Sequence, residues 1–192
     1  MGSLALARVA VCLAPIALLT AGCGGGTRQD AAEPSGTFRV EVLDASFPRQ
    51  QSLAEPAELR LSVRNAGDRA VPNLAVTVDS FDANVQQQGL ADPQRPVWIV
   101  DSGPSGAATA YVNTWAVGRL PAGATRTLRW RVTAVAPGRH TVSYRVGAGL
   151  NGKARAQLAD GGVPEGSITV AISGKPAQAV VDPATGDVIR EP

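Results

Sequence analysis

The chain is poor in the residues that metal and acid–base chemistry use. Among 192 residues there is one histidine (His140), one methionine (Met1) and two cysteines (Cys12 and Cys23). Copper, zinc and haem sites need clusters of such ligands, so no metal and no cofactor is expected. A hydrolytic triad needs a nucleophile, a base and a group that orients the base. His140 is the one imidazole on offer, and there is no Gly-x-Ser-x-Gly elbow. No pair of carboxylates stands out for glycoside chemistry either. The chain therefore reads as a non-enzyme, with His140 a surface or turn residue at the start of a β pattern. Lysine is scarce, with 2 against 16 arginines, and the net charge of +2 lacks the basic excess of a nucleic-acid binder. Aromatic residues make up 4% of the chain, while 21 glycines and 14 prolines punctuate it. Without long charged helical stretches, that composition points to an all-β chain with many turns.

A long apolar run occurs once, at the start. Residues 1–22 have a short basic beginning with Arg8, the apolar segment "VAVCLAPIALL" and then small residues, which is the layout of a secretory signal. The run is too short to span a bilayer comfortably, and Pro15 interrupts it. The sequence "TAGC", with small residues before Cys23, resembles the lipobox of bacterial lipoprotein signals. In that family the cysteine receives a diacylglycerol thioether and becomes the new N-terminus. The resemblance implies a lipidated Cys23 carrying palmitate-type chains. Each buried CH₂ would add about 0.8 kcal/mol of membrane affinity. It also implies a place in the cell envelope, on the extracytoplasmic face of a bacterial membrane. With the signal removed, one cysteine remains and no intramolecular disulfide is possible. Residues 23–36, lipidated Cys and then Gly, Pro, Ser and charge without an apolar period, read as a flexible linker.

From residue 37 the pattern becomes strict alternation. Apolar faces run through Phe38, Val40 and Val42; Leu59, Leu61 and Val63; Leu74, Val76 and Val78; Leu128, Trp130 and Val132; Val142, Tyr144 and Val146; and Ile168, Val170 and Ile172. Val97–Val100 is a candidate further strand. Strands with one polar face are half buried, so two sheets must cover each other in an antiparallel β-sandwich of immunoglobulin-like type. The expected organisation is a sandwich over residues 37–173, a central insert at 81–117, and a C-terminal hairpin or tail at 174–192.

"LRLSVRNAGDRAVPNLAVTV" joins an alternating strand to Asn-x-Gly and a Pro-Asn connection, and "WAVGRLPAGATRTLRWRV" leads from a Gly118, Leu120, Gly123, Thr125 turn into a strand. With "APGRHTVSYRV", these residues resemble bacterial surface Ig-like repeats of the CARDB and DUF11 type, over roughly residues 56–172. The resemblance implies fold, and extracytoplasmic binding, adhesion or spacer roles. The longer central segment 81–117 departs from it.

Two surfaces are candidates for binding. Arg60, Arg64, Arg129 and Arg131 occupy outward strand positions, with Arg39 a possible neighbour. If the strands of Leu59–Val63 and Leu128–Val132 are neighbours, as in Ig-like sandwiches, these arginines share one flat face suited to an anionic or acidic partner; the plain alternative is a solvated face balanced by Glu41 and Glu58. The insert holds Phe81, Trp98, Tyr111 and Trp115, which either stack on a ligand or cap the core. Tyr111 and Trp115 fit one helix face or one face of a strand, and strand is preferred. Exposed Trp98 and Trp115 would favour a binding module; buried ones would favour a spacer. Gly147, Gly149 and Gly152 spell G-x-G-x-x-G, but no helix pattern follows, so they read as a structural loop between strands. Asp182 and Asp187 flank a plain turn. The expected function is a membrane-anchored interaction module for an envelope protein. The alternatives are a spacer or scaffold in an envelope assembly, and a glycan binder.

Overall fold

The computed structural model describes residues 30–190 apart from positions 32, 87, 90, 92 and 187. Cys23, the signal-like segment and residues 24–29 of the linker lie outside the described residues. In chain order the strands are β1 (Gly36–Ser46), β2 (Gln50–Leu53), β3 (Pro56–Asn65), β4 (Val71–Thr77), β5 (Asn84–Gln86), β6 (Gln94–Pro96), β7 (Trp98–Ser102), β8 (Ala108–Tyr111), β9 (Thr114–Leu120), β10 (Thr125–Ala134), β11 (Gly138–Gly147), β12 (Ala154–Gln157), β13 (Glu165–Pro176), β14 (Ala179–Val181) and β15 (Val188–Arg190). One 3₁₀ turn, Asp79–Asp82, is the only helical element among the described residues.

The alternating runs sort into two sheets. One has the order β12-β1-β3-β10-β7 and the other β2-β13-β11-β4-β9-β8. Pairing is antiparallel except at two edges, where β12 runs parallel to β1 and β2 parallel to β13. The inward residues of both sheets meet in one core. Leu59, Leu61, Val63, Leu128, Trp130 and Val132 come from the first sheet, and Leu74, Val76, Val142, Val146 and Val170 from the second. Burying each such side chain contributes about 1.5–3 kcal/mol. The fold is thus an all-β sandwich. The ribbons β5–β6 and β14–β15 stand apart from the two sheets.

Several local features depart from plain alternation. In β1 the register passes from Val42 opposite Val63 to Asp44 opposite Ser62, leaving Leu43 as an extra, exposed residue. A bulge of this kind reverses the faces beyond it, so Asp44 points outward. The stretch 107–117 is a hairpin and not one strand. Tyr111 ends β8, Asn113 takes a left-handed φ of 54° in the tight turn, and β9 starts at Thr114. Tyr111 and Trp115 therefore share neither a helix face nor a strand. Gly118, read from sequence as part of a turn, lies inside β9 with a φ of 79° at a register break against β4. Within residues 81–117, β7, β8 and the first part of β9 join the two main sheets, while β5 and β6 form a ribbon of their own.

Candidate functional site

The outer face of β1, β3 and β10 carries the arginines. In the β3–β10 pairing Arg60 stands directly opposite Arg129, and Arg131 opposite Glu58. Like charges face to face repel, and each guanidinium turns to a carboxylate of the neighbouring strand, Arg60 to β1 and Arg129 to β3. The Arg60 Nε lies 2.9 Å from Asp44, and the Arg129 Nη1 3.2 Å from Glu58. The Arg64 Nη1 lies 3.6 Å from Glu41 on β1. Asp44 reaches Arg60 because of the β1 bulge, a feature the alternation pattern could not reveal. Between the pairs, the Ser62 and Thr127 hydroxyls share a hydrogen bond of 2.8 Å, and the Thr133 hydroxyl donates to Asp101 on β7. The Arg131 guanidinium, on this face, has neither an ion pair nor a hydrogen bond among the described residues, and neither does that of Arg39 on β1. The structure brings Arg60, Arg64, Arg129 and Arg131 onto one face with Arg39.

The tryptophans lie elsewhere. Trp98 is 2% exposed and Trp115 7% exposed. Trp98 packs edge-on against Phe47 and His140, each with centroids 5.8 Å away, and its Nε1 donates to Gln51 Oε1 at 2.9 Å. Trp115 packs edge-on against Phe81 and Trp130. A ring engaged on both sides in the core is not offered to a ligand, so the candidate role of Trp98 and Trp115 in stacking or docking is withdrawn. Both rings complete the core at the β7 and β9 ends of the sheets. Tyr111 is different: it is 49% exposed on the edge strand β8, beside the still more exposed Val112. His140 is held by its contact with Trp98 and donates through Nε2 to the Pro137 carbonyl at 3.2 Å. Trp130 Nε1 is buried with no hydrogen-bond partner among the described residues. Burial pushes the Tyr144 hydroxyl above its ordinary 10.0, and the Asp44 charge adds to the effect.

The glycine-rich segment is a crossover loop from β11 to β12, with no helix after it. Sequence reasoning missed its occupant. The Glu33 carboxylate lies in the loop, and the Leu150 N–H donates to both of its oxygens at 2.8 and 2.7 Å. The signal for this was the spacing of small residues around Leu150, which leaves room for an anion but does not say which one. At the C-terminal ribbon, Asp182 Oδ1 accepts from the Ala184 N–H at 2.8 Å, as in an Asx turn; Asp187 lies outside the described residues. Among the described residues no group of three or more His, Cys, Asp or Glu side chains could hold a metal ion, and no helix is long and apolar enough to cross a membrane.

No protein-family model matches the chain, and no curated protein matches it. Among solved structures it is similar to the CARDB domain of a Pyrococcus furiosus protein in complex with di-metal ions, at 15% identity and a TM-score of 0.42, covering 72% of this chain and 93% of that one. It is also similar to native alpha-2-macroglobulin from Escherichia coli, resolved from domain MG7 to the C-terminus, at 16% identity and a TM-score of 0.45 over 78% of this chain and 21% of that one. A third is beta-glucosidase from Listeria innocua, at 17% identity and a TM-score of 0.38 over 71% of this chain and 16% of that one. Likeness at this level carries no inference about activity. The all-β sandwich rests on the strand order and pairing themselves.

Proposed function

We propose that this chain is a non-catalytic interaction module, lipid-anchored through Cys23 on the extracytoplasmic face of a bacterial membrane, that engages an acidic surface of an envelope protein. The observation that carries the reading is the outer face of β1, β3 and β10. It is a hydrogen-bonded sheet surface that carries five arginines, of which Arg39 and Arg131 have no ion-pair partner among the described residues. Arginine keeps its charge and offers a planar fork of donors to carboxylates, and a face of this kind guides an acidic partner into register. The lipobox-like "TAGC" supports the anchor and the envelope location.

A second reading has its own observation. Burial of Trp98 and Trp115 removes the aromatic docking surface and favours a spacer or scaffold. A photo-crosslinking residue placed at Thr127, in the middle of the arginine face, separates the two when compared with one at Thr141 on the outer face of the other sheet. An interaction module yields one dominant adduct from Thr127 and little from Thr141. Equal, diffuse adducts from both positions would leave the spacer. Membrane fractionation of a Cys23→Ala chain tests the anchor separately: the variant leaves the membrane fraction if Cys23 carries the lipid, and stays if it does not.

A further inference from the structure

Glu33 precedes β1, and its carboxylate is gripped by the loop that leads from β11 to β12. Leu150 N–H donates to both oxygens, Asn151 N–H donates to Oε2 at 3.2 Å, and Asn73 Nδ2 donates to Oε1 at 3.3 Å. Asn151 also holds the chain upstream of the carboxylate, where its Nδ2 donates to the Asp30 carbonyl at 2.8 Å. Its own Oδ1 accepts from the Lys153 N–H at 2.9 Å, which fixes the side chain. Asp30 is buried at 4% exposure, unlike a residue in a free tether. Gly149 completes the fit. Its φ is not in the left-handed region, so the backbone does not demand glycine. A Cβ there would run into the Glu33 carboxylate and lie 3.0 Å from the Ala154 Cβ. Successive backbone N–H groups converging on one anion form a nest, and hydrogen bonds to an ionised acceptor are the strong ones.

We propose that loop 147–153 is a carboxylate-binding site that Glu33 fills from within the chain, clipping the chain onto the sandwich at Asp30 and Glu33. The chain is therefore already held against the sandwich at Asp30, six residues ahead of β1. If Cys23 is the anchor, a consequence that rests on the function proposed above, the clip shortens the greatest span between Cys23 and the sandwich by the six residues from Asp30 to Gly36, about 20 Å at ~3.3–3.6 Å per residue. The clip holds the domain close to the membrane.

The test uses the full chain in detergent micelles and reads amide hydrogen exchange at Leu150 and Asn151. Glu33→Ala should speed exchange at both by about tenfold or more. Sodium acetate should slow it again, while sodium chloride at equal ionic strength should not, because acetate supplies the missing carboxylate. Gly149→Ala should open the same two amides without acetate rescue, and adding Glu33→Ala to it should change little further. Unchanged exchange in Glu33→Ala, or equal effects of acetate and chloride, would overturn the proposal even if Gly149→Ala fails to fold. The Cys23→Ala chain should show the same pattern. Failure of the anchor at Cys23 would therefore leave the clip standing, and failure of the clip would leave the anchor untouched.

Discussion

On the outer face of β1, β3 and β10, Glu41, Asp44 and Glu58 are held by arginine side chains; at the β11–β12 loop, Glu33 is held by backbone N–H groups and Asn73. Glu41 and Glu58 are exposed, and Asp44 is half buried. Both partners of the Arg129–Glu58 pair keep more than half of their side-chain surface in water, at 57% and 52%. Solvent and salt screen such pairs, long side chains lose freedom in forming them, and each is worth roughly 0–1 kcal/mol. Glu33 is half buried and receives bonds from groups whose positions the fold already fixes. Charge is therefore cheap to rearrange on the sheet face and costly to rearrange at the loop. A surface meant to meet a partner gains from the first property, since its pairs can exchange. A segment meant to stay in place gains from the second.

The comparison is sharpened most by Gly149→Ala, which evicts Glu33 while leaving its charge intact. A loss of about 2–3 kcal/mol in urea unfolding is expected, in the range of overpacking at a tight site. Glu33→Ala should cost somewhat less, about 1.5–2 kcal/mol, since the freed amides can reach water. Both losses should be insensitive to salt. A smaller effect links the sheet face to the core through Tyr144. Unfolded, a tyrosine hydroxyl ionises near 10.0, and in the fold Tyr144 ionises at higher pH. Above pH 10 the unfolded chain gives up this proton before the folded chain does. The contribution is therefore whole below pH 10 and is lost as pH rises through the folded value. Unfolding followed from pH 9 upward should show that decline in the parent, a shallower one in Asp44→Asn, and none from this residue in Tyr144→Phe. The smallest change belongs to the sheet face itself. Glu58→Gln should alter stability by less than about 0.5 kcal/mol at physiological salt. If it costs as much as Glu33→Ala, the contrast between the two regions collapses.

The strands that form the middle of each sheet were legible because each has one wet face and one dry one. Leu59, Leu61 and Val63 in β3 and Leu128, Trp130 and Val132 in β10 repeat every second residue, and all are buried. Alternation alone left the β3–β10 pairing a condition taken from the sandwich topology, which the observed register meets. Where alternation breaks, composition carries no mark of the local structure. The bulge at Leu43 leaves no mark in composition, yet it decides that Asp44 meets Arg60. The turn at Val112 and Asn113 lacks glycine, so the β8–β9 hairpin looked like one strand. β12 is a short run, Ala154–Gln157, whose inward residues are alanines, and its parallel place beside β1 is set by long-range pairing alone. The Glu33 clip was hidden for a deeper reason. Its donors are main-chain N–H groups that every residue carries, so no residue type announces them. Only Gly149, by the side chain it lacks, hints at the close approach.

The central claim is that recognition resides on the arginine face. The most direct measurement is the yield of the Thr127 photo-adduct in living cells when Arg39 and Arg131, the two guanidinium groups without ion-pair partners, are both changed to Glu. Loss of that adduct, with the chain still folded and still in the membrane fraction, is the expected result. An undiminished adduct would contradict the claim and leave the sandwich as a spacer.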